Sequence, residues 1–146
     1  MLTKRAPVGI PVINSVPMSS NQGFLNFSCG KDLDPIYLYF WFKCNKNYLD
    51  AVANGSTYSE LYVSDLFEFK ISAPNIEEQK KISEFLLSLE TSISLGSVLE
   101  GSSSNPSEAI IIRKETEELE RFKNIIVPKL LSGQITLEKL QTKQYS

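Results

Sequence analysis

Apolar and polar positions follow two different periods along this chain, and the change falls at Pro74. Ahead of it, Phe67, Phe69 and Ile71 alternate with Glu68, Lys70 and Ser72. That is the period of a half-buried strand, expected here over 67–73. Beyond it, Ile82, Phe85, Leu86 and Leu89 recur at helical spacing, with Lys80, Lys81, Glu84 and Glu90 on the other side. Pro74 closes the strand, because proline disfavours helical backbone in the residue before it. Asn75 is the expected N-cap, and Glu77 and Glu78 then lie in the first turn, at the positive end of the helix dipole. The pattern carries this helix to about Ser94, with Gly96 as its stop.

Upstream, Ile10 to Asn14 is a short apolar run broken by prolines, an extended segment near a sheet edge. Met18 to Gly23 is a polar turn, and Phe24 to Ser28 is expected to be a strand. Asp34-Pro35 is a helix start with Asp as cap and Pro in the first position. The following Ile36 to Phe42 is apolar nearly all round, so that helix should be packed on most sides. A short helix around Tyr48 to Ala53 should end at Asn54-Gly55, and Ser64 to Leu66 form a brief helical turn. Downstream, Gly101 to Pro106 has a flexible linker's composition. A second long helix begins at Ser107, its seam being Ile112, Leu119, Phe122, Ile126 and Leu130. Pro128 should bend its last turn, Ser132-Gly133 should end it, and Gln134 to Leu137 reads as a short strand.

The expected class is therefore α+β: a mixed small sheet with helices over 1–73, then helices at 74–95 and 107–133. A flexible insert at 96–106 separates these two helices, and 134–146 is a short tail. An apolar share of 42% with 22% charge fits a folded chain. No unbroken apolar run approaches a bilayer's thickness, so neither a membrane partner nor a signal peptide is expected. Cys29 and Cys44 have no metal-ligand spacing and read as buried thiols in a reducing cytoplasm. The chain has no histidine. The commonest general base and metal ligand is therefore missing, and the carboxylates form no recognisable catalytic arrangement. Glu77 and Glu78 are adjacent on a helix and point apart, which suits capping and solvation. No catalytic or metal-binding residue is assigned, and no enzyme is expected. Residues 1–73 carry six Lys/Arg and six Asp/Glu, and residues 74–146 carry nine and eleven. There is no global basic signature, which leaves room only for a local basic face.

Three stretches, taken together, resemble the specificity subunit of type I restriction-modification enzymes. The first is Arg5-Ala6-Pro7-Val8-Gly9, followed by Asn21-Gln22-Gly23 and by Asp34-Pro35-x-Tyr37-Leu38. The second is Gly55-Ser56-Thr57, Ser64-x-Leu66, then Ile71-x-x-Pro74-x-x-Glu77-Glu78-Gln79-x-x-Ile82 and Leu89-Glu90. The third is Leu119-Glu120-x-Phe122 leading to Val127-Pro128-Lys129-Leu130-Leu131-Ser132-Gly133-Gln134-Ile135. The order and spacing are more specific than any single piece. The resemblance implies a subunit that reads double-stranded DNA through target-recognition domains, each followed by a spacer helix that pairs as a coiled coil. Methyltransferase and restriction subunits would dock on this frame and supply the S-adenosylmethionine, ATP and Mg chemistry in the cytoplasm. This chain would hold no cofactor.

Residues 1–73 then correspond to the distal, truncated part of one recognition domain, since the family carries further strands and loops ahead of the Arg5-Ala6-Pro7 motif. The region 96–111 looks inserted, and its Gly, Ser and Pro should break or fold back the spacer helix. DNA contacts are expected among Lys4, Arg5, Asn21, Gln22, Lys43, Lys46, Ser56, Thr57 and Tyr58, since phosphates need Lys or Arg and amides can read adenine edges. For any one of them taken alone, a solvated surface or turn residue is the stronger reading. The aromatic run Tyr37 to Phe42 is expected to be core rather than a base-stacking platform. Helix pairing or a partner interface is expected of Ile82, Phe85, Leu89, Ile112, Leu119, Phe122, Ile126 and Leu130, including self-association through the spacer helices. The rival function is a docking or dimerisation fragment that binds methyltransferase subunits through its helices and reads no DNA.

Overall fold

The computed structural model describes residues 1–53, 59–67 and 69–142. The chain divides into two units, Met1–Lys80 and Lys81–Ser146. In the first, β1 (Leu2–Thr3) pairs antiparallel with β2 (Phe24–Leu25), Leu2 opposite Leu25 and Thr3 opposite Phe24. The strand expected over Phe24 to Ser28 thus shrinks to two residues. Ile10 to Asn14 lies along the other side of β1, held by Thr3 N–H to Ile10 O at 3.0 Å and Val12 N–H to Met1 O at 2.8 Å. Gly9 turns the chain back with φ +73°, and a Cβ there would meet Leu49 Cβ at 3.0 Å. Both the turn and the close approach disfavour a side chain here.

Helix α1 (Pro35–Cys44) starts as its sequence dictates: Asp34 Oδ1 accepts from Ile36 N–H at 3.1 Å and Tyr37 N–H at 2.8 Å. Tyr37, Leu38, Phe40 and Phe42 are buried, and Ile36, Tyr39 and Trp41 are half-buried. The all-round apolar run is core. Helix α2 (Lys46–Val52) follows directly and buries Leu49. Leu2, Val8, Leu25, Leu38, Phe42, Leu49 and Leu61 form the core of this unit. Each such side chain removed from water contributes about 1.5–3 kcal/mol before the cost of ordering it. Helix α3 (Val63–Leu66) is the expected brief turn, closed by Asp65 accepting from Tyr62 N–H at 2.7 Å.

The strand expected over 67–73 does not form among the described residues. Among the described residues no neighbouring edge pairs with this stretch. Phe67 is 81% exposed, and Phe69 instead packs edge-on against Trp41 and Tyr48, at centroid distances of 5.8 and 4.8 Å. Alternation there reports two aromatic contacts rather than a ladder. The cysteines also differ from expectation: Cys29 is half-buried and Cys44 exposed, and neither is in a disulfide.

Helix α4 (Ile76–Ser102) starts in the first unit and continues into the second. Asn75 caps it, Oδ1 accepting from Glu78 N–H at 3.0 Å. The helix passes straight through Gly96, and the chain reverses only at 103–105 before α5 (Pro106–Leu131), capped by Asn105. The 96–111 segment therefore folds the chain back, but as helix with a three-residue turn rather than as a flexible insert. Gly96 is inside the helix because a Cβ there would lie 2.2 Å from Thr116 Oγ1. Packing, not helix termination, requires glycine at this position.

In the second unit α4 and α5 run antiparallel. Glu100 meets Arg113 Nε at 2.6 Å, Gly96 faces Thr116, and Glu90 meets Lys123 at 3.9 Å. Buried or half-buried positions recur at alternating four and three residues: Ile82, Leu86, Leu89, Ile93, Gly96 and Glu100 on one helix. On the other they are Ile112, Thr116, Leu119, Lys123, Ile126 and Leu130. The seam thus runs through Thr116 and Lys123, and Phe122, expected on it, is 42% exposed. A thirteen-residue interval between Ile112 and Ile125 shows the same rule, since Ile125 falls off the stripe and is exposed. Helix α5 continues past Pro128 to Leu131 and ends at Gly133, whose φ of +73° and N–H to Leu130 O at 3.2 Å close it. The strand expected over Gln134 to Leu137 is absent, and Leu137–Thr142 forms α6. By length and mean composition, α4 reaches the range of a membrane-crossing helix, with 28% of that window buried. It does so by interleaving Leu and Ile with Ser and Thr, so no unbroken apolar run marks it in the sequence.

Candidate nucleic-acid interface

The sheet brings together residues that the sequence leaves about twenty positions apart. Because β1 pairs with β2, Lys4 N–H donates to Gly23 O at 2.8 Å, which sets the Asn21-Gln22-Gly23 turn beside Lys4 and Arg5. Asn21 Oδ1 shapes that turn by accepting from Gly23 N–H at 2.8 Å, and Gln22 is exposed. A third segment joins them. Arg5 bridges antiparallel to Glu60, and Leu61 N–H donates to Lys4 O at 2.8 Å.

The Glu60 carboxylate is the centre of this cluster. Its Oε1 accepts from Lys4 Nζ at 3.0 Å and Arg5 Nε at 3.2 Å, and its Oε2 from the Tyr62 hydroxyl at 3.1 Å. Lys4 Nζ also lies over the Tyr62 ring, 4.8 Å from its centroid, an attractive cation–π geometry. The Lys4 hydrogen bond, with those from Tyr62 and Arg5, holds the Glu60 carboxyl below the usual glutamate range. The same carboxylate pushes the Tyr62 hydroxyl up. Two cations share the Glu60 carboxylate, Asp65 on Tyr62 N–H is the next anion, and the Arg5 side chain is exposed.

Of the remaining expected contacts, Lys43 is on α1 with its amine 5.2 Å from the Tyr39 ring centroid. Lys46 is on α2, paired with Asp50 one turn along. The structure does not group either with the Lys4–Arg5 cluster. Ser56, Thr57 and Tyr58 lie outside the described residues. Glu60 and Tyr62 were not expected at all; only the Arg5–Glu60 bridge reveals them, and no local spacing signals it. Among the helix positions, Ile82, Leu89, Ile126 and Leu130 are buried and Phe85, Ile112 and Leu119 half-buried. Other apolar residues of the hairpin are exposed, among them Leu95, Val98, Leu99, Ile110 and Ile111. Among the described residues no group of Cys, Asp and Glu is placed to hold a metal ion.

The model of the type I restriction modification DNA specificity domain matches residues 1–97. The chain belongs to this family. The matched part of the specificity domain holds the whole cluster and most of α4. One relative is the type I restriction enzyme MjaIX specificity subunit of Methanocaldococcus jannaschii, 41% identical over 88 residues, 59% of this chain and 20% of that protein. Another is the putative type I restriction enzyme MjaX specificity subunit of the same organism, 25% identical over 139 residues, 94% of this chain and 29% of that protein. The second alignment reaches beyond α4 and takes in α5. The chain spans less than a third of the length of these relatives.

Proposed function

We propose that this chain is a non-catalytic DNA-recognition and scaffold part of a type I restriction-modification specificity subunit. The observation that carries the reading is the convergence of Lys4, Arg5 and the Asn21-Gln22 turn on one edge of a domain of this family. Lysine and arginine supply phosphate contacts, and the neighbouring amides supply groups able to read base edges. The α4–α5 hairpin, with its alternating four- and three-residue seam, serves as the spacer on which methyltransferase and restriction subunits assemble in the cytoplasm. Those partners bring the S-adenosylmethionine, ATP and Mg chemistry.

The test is co-expression with a type I methyltransferase subunit from the same source, followed by complex mass and DNA binding on the same sample. A complex that shifts duplex DNA supports the reading. A second reading, a docking or self-associating fragment that reads no DNA, is favoured by the exposed Leu95, Val98 and Leu99 on α4 with Ile110 and Ile111 on α5. Exposed apolar side chains on a helical surface suit an interaction site where they form a contiguous patch. A stable complex, or a dimer, without DNA binding selects it.

A further inference from the structure

Glu60 stands at the centre of the expected DNA-contact edge, where a carboxylate ought to repel phosphate. Its geometry points to another role. The carboxylate is 21% exposed at its side chain and ringed by three donors, while the Arg5 side chain is 59% exposed. Glu60 engages Arg5 at Nε. A guanidinium held at Nε still presents its Nη1–Nη2 edge, a planar pair of donors matched to two phosphate oxygens. The backbone fixes both partners, since Arg5 and Glu60 face each other in an antiparallel bridge with Leu61 N–H on Lys4 O. Lys4 on the same oxygen and the Tyr62 hydroxyl on the other fill the remaining faces of the carboxylate.

We propose that Glu60 is a positioning residue that holds Arg5 as a fork for one phosphodiester group, with Lys4 adding charge beside it. The proposal rests on the DNA reading above for the source of the phosphate. Long side chains lose rotamer freedom when they grip a ligand, and a preset arginine has less to lose. A carboxylate acting only by its charge would have the opposite effect on binding.

The experiment measures binding of a short fluorescent duplex to the purified chain at low salt, for wild type, Glu60→Gln and Arg5→Lys. In parallel, the Arg5 Nε–Hε resonance is followed by NMR as inorganic phosphate is added. Glu60→Gln removes a negative charge yet is expected to weaken duplex binding about tenfold, the equivalent of one charge-assisted hydrogen bond. Arg5→Lys keeps the charge, loses the fork, and is expected to weaken binding similarly; it serves alone if Glu60→Gln fails to fold. Tighter or unchanged binding in these variants, with wild type binding duplex, overturns the positioning role and leaves the DNA reading standing. Wild type that ignores duplex while phosphate still shifts Arg5 keeps the phosphate fork and removes its DNA source. Silence toward both probes overturns both.

Discussion

Gln79 is 1% exposed, and its side-chain amide is fully engaged. Its Oε1 accepts from Asp34 N–H at 2.9 Å, and its Nε2 donates to Asp32 O at 3.0 Å and Pro74 O at 2.8 Å. One side chain thus joins the loop before α1, the backbone of the residue that caps α1, and the proline that precedes α4. Gln79→Met keeps the length and approximate volume while removing all three bonds. At about 1 kcal/mol net for each, the loss is about 3 kcal/mol, and more if the stranded Asp34 N–H finds no water. Gln79→Glu should cost at least as much above its pKa, because a carboxylate has no donor for the two carbonyls and buries a charge. The assay is urea unfolding followed by the fluorescence of Trp41, the only tryptophan, which reports the unit containing Gln79. A loss below about 1 kcal/mol for Gln79→Met would refute the assignment of this amide as a structural tie, since that is the value of a single bond.

Four further outcomes are expected. Asp34→Ala should cost about 1 kcal/mol through loss of the α1 cap, with measurable coupling to Gln79→Met because both act on the same residue. Gly96→Ala should lower the melting temperature by an overpacking penalty of about 1–3 kcal/mol, relieved by Thr116→Ala in the double variant. Glu60 has a lowered pKa in the folded chain, so its contribution is complete above the ordinary glutamate value of 4.5 and is lost as pH falls from there through the folded value. Glu60→Gln should therefore flatten the acid limb of a stability–pH curve. If Lys4 touches a phosphate, Lys4→Gln should weaken duplex binding uniformly across sequences and reduce the salt slope by about 1.

What the sequence made legible follows the range of the forces involved. The start of α1 at Asp34-Pro35, the cap at Asn75 and the stop at Gly133 are set by residues within one turn of each other, and all are where local chemistry puts them. The apolar run Ile36 to Phe42 announces its burial by composition alone. The strand expected at 67–73 fails because alternation needs a neighbouring edge to become a ladder, and which edges exist is decided by the rest of the chain. The candidate site divides in the same way. Lys4, Arg5, Asn21 and Gln22 could be picked by residue type, but their meeting depends on the β1–β2 register. Glu60 reaches Arg5 across 55 positions and carries no local mark.

Gly96 shows how one residue supports opposite readings until its neighbour is known. Glycine disfavours helix by about 1 kcal/mol against alanine, so a glycine after a periodic stretch is a reasonable stop. In a pair of packed helices the same missing Cβ lets the partner approach, and the penalty is offset by contacts along the whole interface. Thr116 at 2.2 Å from the absent Cβ identifies the second case. Once Gly96 is placed on the seam, the spacing from Ile82 through Ile93 continues without interruption to Glu100, which meets Arg113. The same register moves Phe122 off the seam and puts Lys123 opposite Glu90. A close-packing glycine, rather than a flexible insert, therefore sets how the two helices of the hairpin align.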